Sequence, residues 1–163
     1  MRYLMKQKWL AFGDDYSIKT ADGTEAFYVD GRAISIGDKL SMTDRSGREV
    51  AYIAQKLFAW GKTYEVYREG RLFAVVKKEL FTFFHCSFTV DVPGPNDYEA
   101  RGDFLDLEYS FTRSGSLAAQ VSKRFFSWTD SYGIDIVEGE DDVTILAAAV
   151  VIDLCCHADR KHQ

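Results

Sequence analysis

Cys155, Cys156 and His157 stand side by side near the C-terminal end of the sequence, with His162 beyond them and the pair His85-Cys86 far upstream. Thiolate and imidazole are the usual zinc ligands, so this cluster is the first place to look for a metal centre. Its spacing is poor for one, because adjacent residues on a helix point about 100° apart and none of the usual C-x-x-C spacings occurs. The three cysteines read instead as buried thiols of a protein in a reducing compartment. Calcium could draw on "DIVEGEDD", where Asp135, Glu138, Glu140, Asp141 and Asp142 offer oxygen ligands. These carboxylates do not follow the EF-hand spacing, and they precede an apolar run whose helical N-terminus they would cap and compensate. No metal and no cofactor is expected.

Nucleophilic catalysis needs a Ser or Cys held against a base, and no G-x-S-x-G or comparable turn is present. His85 lies in the aromatic stretch "FTFFHCSF", where a histidine on the outward face of a strand is the plainer reading. Carboxylate pairs such as Asp103 with Asp106 fall in a segment whose solvent face must be polar anyway. The chemistry that the residues support best is anion binding, by Lys56, Lys77, Lys78, Lys123 and Arg124. If Ile53 and Leu57 point inward, Lys56 points outward, where it could help hold a lipid phosphate.

The elements that must position these groups are short strands and one helix. "LDLEYSFT" alternates Leu105, Leu107, Tyr109 and Phe111 with polar residues, the period of a half-buried antiparallel strand. Similar alternation recurs between turn signals at Asp22-Gly23, Asp30-Gly31, Ser46-Gly47, Glu69-Gly70, Pro93-Gly94 and Ser114-Gly115, giving about twelve strands. A shift of 68 positions lays residues 45–66 on residues 113–134, aligning Gly47 with Gly115, Trp60 with Trp128 and Lys56 with Arg124. Two copies of a multi-strand unit suggest a pseudo-symmetric sheet, and closing it into a barrel hides its edges. After the strands comes "EDDVTILAAAVVIDLCCH", apolar without a break from Ile145 to Ile152. The ten residues from Val143 to Ile152, of which only Thr144 is polar, rise roughly 15 Å, too little for a hydrocarbon core of about 30 Å. A helix with no polar side must be surrounded, and residues 142–156 are expected to thread the barrel, with Asp141 or Asp142 capping the first turn.

A chain of 163 residues, 47% apolar and 15% aromatic, suits a single domain with a sizeable core. Its formal net charge of −5 argues against nucleic acid as a partner, although the first half of the sequence is slightly basic. The start "MRYLMKQKWLAFGDD" is interrupted by Lys6 and Lys8 and does not read as a secretory signal, so a cytoplasmic protein is expected, with a membrane-peripheral position open.

"MKQKWLAFGDDYSI", "GDKLSMTD", "IAQKLFAW", "FTVDVPGPND", "GDFLDLEYSFTR", "VSKRFFSWTDSYGIDI" and "GEDDVTILAAAVVIDL" together resemble the LURP-one-related family of tubby-like proteins over nearly the whole chain. The resemblance implies a mainly β, tubby-like closed barrel of about twelve strands around a central hydrophobic C-terminal α-helix. The segment from Tyr132 to Leu154 is also similar to the end of phospholipid scramblases, without their proline-rich N-terminus or acylation-type cysteine cluster. Tubby proteins bind phosphoinositides through a basic pocket, although no motif carries those pocket residues onto positions here. The expectation is one domain over residues 1–163, a non-enzymatic binding or scaffold module for an anionic phospholipid or a protein partner, without a transmembrane segment. A scramblase-like membrane protein and an enzyme of unknown reaction are the alternatives.

Overall fold

A computed structural model describes residues 1–8, 15–31, 36–80, 86–123 and 131–160. Its first six strands are β1 (Arg2–Lys8), β2 (Asp15–Thr20), β3 (Glu25–Gly31), β4 (Lys39–Asp44), β5 (Glu49–Gln55) and β6 (Thr63–Arg68). The next six are β7 (Arg71–Leu80), β8 (Cys86–Asp91), β9 (Tyr98–Asp103), β10 (Glu108–Arg113), β11 (Ser116–Ser122) and β12 (Ser131–Ile136), followed by the helix α1 (Asp142–Arg160). Each strand pairs antiparallel with its neighbours in sequence, and β12 pairs back onto β1, so the twelve strands close into an antiparallel barrel.

The inward face of each strand is apolar at every second position. Met5 of β1, Ile18 of β2, Met42 of β4, Ile53 of β5, Val76 of β7, Phe88 of β8, Phe111 of β10 and Ile134 of β12 are all buried. The outward face carries paired charges, across strands for Lys19 with Glu25 at 3.4 Å and along β9 for Arg101 with Glu99 at 2.6 Å. This is the reverse of a lipid-spanning barrel, whose outer band is apolar. Closure is marked on the inside by the Tyr132 hydroxyl, 2.9 Å from Met5 Sδ, and on the outside by Arg2, which grips Asp135 through Nε at 2.5 Å and Nη2 at 2.7 Å.

Hairpin chemistry sets one end of the barrel. Glu69-Gly70 and Ser114-Gly115 are two-residue turns with positive φ at both positions, 51° and 74° in the first, 51° and 77° in the second. That backbone twist matches the twist of the flanking strands, and glycine supplies the second position without a Cβ clash. The strand expected from Leu105 instead begins at Glu108. Residues 104–107 form the β9–β10 turn, with Leu107 at φ 57°, Leu105 half exposed, and the Asp106 N–H donating to Asp103 Oδ1 at 3.0 Å. The physical reason is register: Glu108 pairs with Asp103, which leaves four residues to reverse the chain whatever their hydropathy pattern.

α1 fills the barrel. Ile145 to Ile152 are buried without interruption, and the helix backbone comes nearest β5, β6, β7 and β12. Its large apolar side chains contribute roughly 1.5–3 kcal/mol each on burial. The helix continues to Arg160, about one turn past the expected end at residue 156. Among the described residues no helix is long and apolar enough to cross a membrane. The two segments related by the 68-residue shift fall on β5–β6 and β11–β12, six places apart in the ring of twelve.

Two measurements test this account. Ala148 is fully buried, so Ala148→Asp places an unpaired charge in the core at a cost of several kcal/mol against a total stability of about 5–15. Soluble expression should collapse, and a soluble variant with unchanged melting would refute a central helix. At the seam, the Arg2 hydrogen bonds hold the Asp135 carboxyl below its ordinary range, against the opposing effect of partial burial. A carboxyl depressed in the folded state stabilises above its unfolded value, about pH 4, and that contribution is lost as pH falls through the folded value. Arg2→Gln should therefore melt slightly lower than wild type at neutral pH, and the gap should close in acid.

Candidate binding surface at the lysine-bearing end of the barrel

Antiparallel order gives the barrel two unlike ends. One carries the β6–β7 and β10–β11 two-residue turns and the N-terminus of α1; the other carries the β5–β6 connection, the β9–β10 turn, the ends of β7 and β11, and the C-terminal part of α1. Of the five cations singled out from the sequence, the four that are described, Lys56, Lys77, Lys78 and Lys123, lie near this second end, and the structure sorts them. Lys56 follows β5, where its N–H donates to Thr63 O at 2.8 Å, and Thr63 is paired with Lys77, so Lys56 and Lys77 belong to one row across β5, β6 and β7. Lys78 takes the opposite face from Lys77, because successive strand residues alternate; its partner Phe88 is a core residue. Lys123 is exposed at the end of β11, four strands from β7, with its N–H on Glu108 Oε1 at 3.1 Å. Arg124 lies outside the described residues, as do His85 and His162.

The row lysines are loosely held. Lys56 Nζ is 3.6 Å from Glu65 and Lys77 Nζ is 3.6 Å from Asp91, on an outer face where such pairs contribute about 0–1 kcal/mol. Three other carboxylates at this end, Asp38, Asp15 and Glu108, are engaged by neighbouring donors. Asp38 accepts the Tyr64 hydroxyl at 2.6 Å, Asp15 accepts the Tyr28 hydroxyl at 2.9 Å and the Gly31 N–H at 3.0 Å, and Glu108 accepts the Ser122 hydroxyl at 2.8 Å. The phenol of Tyr28 is pushed up to about 12, first by burial and then by Asp15, so this acceptor meets a proton donor across the whole physiological range. Lys62, absent from the sequence-based candidates, reaches into the barrel mouth and donates from Nζ to Cys155 O of α1 at 3.1 Å.

The opposite end is acidic and occupied. Asp141 caps α1, accepting the Thr144 N–H at 3.1 Å, and also binds Arg68 through two nitrogens, at 2.5 and 3.2 Å. Glu140 Oε2 accepts from the Tyr98 hydroxyl at 2.8 Å and from Arg113 at 2.9 Å, while Asp142 accepts the Tyr3 hydroxyl at 2.5 Å. Burial first, and these carboxylates second, push the phenols of Tyr3 and Tyr98 up. Of the acids considered for calcium, Asp135, Glu140, Asp141 and Asp142 are thus held by arginines and tyrosines. Among the described residues no group of three or more His, Cys, Asp and Glu is placed to hold a metal ion. An open groove beside this end is lined by Tyr3 and Phe27 with Asp22, Glu25 and Asp44 against the single cation Arg45, a net acidic lining that disfavours anions.

The sequence matches the LURP-one-related family over residues 1–153. The chain belongs to the LURP-one-related family. It is 37% identical to the uncharacterised protein YxjI of Bacillus subtilis (strain 168) over 159 residues, covering 98% of this chain and 96% of that protein. The Arabidopsis thaliana protein AT5G01750, known from an X-ray structure, shares the fold with a TM-score of 0.68 at 17% identity, over 96% of this chain and 91% of the other. The LURP-one-related barrel expected from the sequence is thereby shown, with its twelve strands and single C-terminal helix.

In this LURP-one-related chain, two features of the lysine-bearing end escaped the sequence reading. Leu57 is half exposed instead of inward, and Phe58 and Trp60, the second aligned with Trp128 in the internal repeat, project wholly into solvent. The available signal was the lysine at each end of "KLFAWGK" together with Gly61, whose φ of 78° lets the connection reverse. The base of this connection is tied down by Tyr64 through Asp38. A hydrogen bond to a charged acceptor contributes about 1.5–3 kcal/mol. Tyr64→Phe should lower the urea midpoint by a corresponding amount with an unchanged m-value; an unaltered midpoint would mean that the Asp38 contact adds nothing.

Proposed function

We propose that this LURP-one-related chain is a non-enzymatic binding module whose lysine-bearing end takes anionic phospholipid head groups. Lys56 and Lys77 are the core of the surface, Lys78 stands at its inner edge, and Lys123 lies four strands away on the same end; Arg124, which follows Lys123 in sequence, is outside the described residues. The observation that carries this reading is the asymmetry of the ends. The carboxylates around the helix N-terminus are locked to Arg68, Arg113 and tyrosines, whereas Lys56 and Lys77 are held only by pairs at 3.6 Å that a phosphate can displace at small cost. With one end acidic and the other lysine-bearing, an anionic surface orients the barrel although the net charge is −5. The filled axis supports a binding role over catalysis, because an enzyme of this shape would have to place its substrate outside the barrel.

Attraction near an anionic membrane is about 1 kcal/mol per basic residue, so three or four residues supply roughly 3–4 kcal/mol, in the millimolar range. Flotation with vesicles of phosphatidylcholine, with and without phosphatidylglycerol, tests the proposal at low and moderate salt. Wild type should float with the anionic vesicles at low salt and be released by added salt, and Lys56→Glu/Lys77→Glu should bind at least about tenfold more weakly. Equal flotation of the two proteins would overturn the assignment.

A further inference from the structure

We infer that the β5–β6 connection, Lys56 to Lys62, is a wedge that inserts its aromatic tip into the interfacial layer of an anionic membrane. The inference rests on the head-group reading above and adds a second, apolar component to it. Phe58 is 99% exposed and Trp60 103%, so neither ring packs against the described residues, and Leu57 beside them is 47% exposed. Ile36, 83% exposed, adjoins the same patch: a Cβ built at Gly37 would lie 2.7 Å from Leu57 Cδ2, which places residues 36–38 against the connection. Exposed large apolar groups gathered in one place, unlike single ones, mark an interaction surface. The exposed large apolar residues at the acidic end, Met1, Leu72, Leu117 and Val137, are aliphatic, and the last three are only about half exposed.

Three properties favour a bilayer as the occupant. First, the rings stand proud of the surface, with no flanking walls among the described residues. A flat protein face would cover one side of each ring, whereas lipid closes around all sides. Second, tryptophan prefers the membrane interface, where its apolar ring and its N–H donor are both accommodated. Third, Lys56 and Lys62 bracket the tip in sequence, with Lys77 and Lys78 on the adjacent strand, so cations lie at the level of the phosphates when the rings lie below them. The acidic turns are then at the far end of the barrel, away from the anionic surface.

The wedge is preorganised. The ladder runs on past the strands through the Lys56 N–H to Thr63 O at 2.8 Å and the Lys78 N–H to Lys62 O at 3.0 Å. The Gln55 N–H donates to Asp38 O at 2.8 Å, and the Asp38 N–H donates to Gln55 Oε1 at 3.2 Å. Lys62 fixes the returning arm to the end of α1. Little ordering entropy remains to oppose insertion, which raises affinity without further contacts.

The test compares wild type with Phe58→Ser/Trp60→Ser and with Trp60→Phe, using vesicles of phosphatidylcholine and phosphatidylglycerol. Wild-type tryptophan emission should shift to the blue and be quenched by lipids brominated on the acyl chain. Trp60→Phe should lose most of that quenching while still floating, and the double serine variant should bind at least about tenfold more weakly with unchanged thermal melting, because fully exposed rings contribute nothing to the fold. Wild-type flotation that is salt-sensitive but unaltered by the double substitution would overturn insertion and leave the head-group reading standing. Absence of wild-type flotation at every salt concentration would overturn both. A double variant that floats normally yet sediments as a smaller species would assign the rings to a contact between two copies of the chain, against the inference.

Discussion

A helix without a polar side has to be enclosed, and the whole architecture answers that requirement. Over Ile145 to Ile152 every direction around α1 is apolar, so one flat sheet, covering one face, would leave the rest in water. A closed barrel covers all of it, and closure also removes the unpaired edges that an open twelve-stranded sheet would present to other chains. The small side chains of Ala147, Ala148 and Ala149 let the wall approach, while residues such as Phe88, Tyr109 and Phe111 supply bulk from the strands. Wall and filling depend on each other, since neither buries its apolar surface alone.

Filling the axis moves function to the ends and the outside. The end at which α1 begins is spent on the helix itself: Asp141 caps it, and Arg68, Arg113, Tyr3 and Tyr98 hold the acidic segment against the rim. These contacts neutralise a run of carboxylates that would otherwise repel one another. The end at which α1 finishes is built differently, with longer connections, lysines held in loose pairs, and one connection that displays aromatic rings instead of burying them. A fold that buries its other described aromatic residues at least in part, yet displays Phe58 and Trp60 in full, keeps that exposure for something outside the molecule.

The same alternation that makes the wall also divides its cations. Lys77 and Lys78 are adjacent in sequence, but a period of two puts one on the outer face and turns the other toward the barrel mouth. Lys56 joins Lys77 only because β6 lies between them in register, with Thr63 common to both pairings. A cationic surface here is a property of three strands together.

The amino-acid sequence by itself determined the number and kind of elements. Alternation, turn residues and an unbroken apolar run are properties of consecutive residues, and they sufficed for twelve strands, a surrounded helix and Asp141 or Asp142 as its cap. The LURP-one-related resemblance likewise rested on ordered local stretches, and the family match over residues 1–153 shows it. Where local pattern and register disagreed, register prevailed, as at residues 104–107, which alternate like a strand but must turn for Asp103 to meet Glu108. Tertiary structure alone decided which groups meet. Arg68 reaches Asp141, Arg113 reaches Glu140, and Lys62 reaches Cys155 across sequence separations that no local rule spans. It also decided that Leu57, Phe58 and Trp60 face water, because an aromatic residue at a hairpin tip is inward or outward according to whether the wall continues past it. Here the wall ends at Gln55 and Thr63.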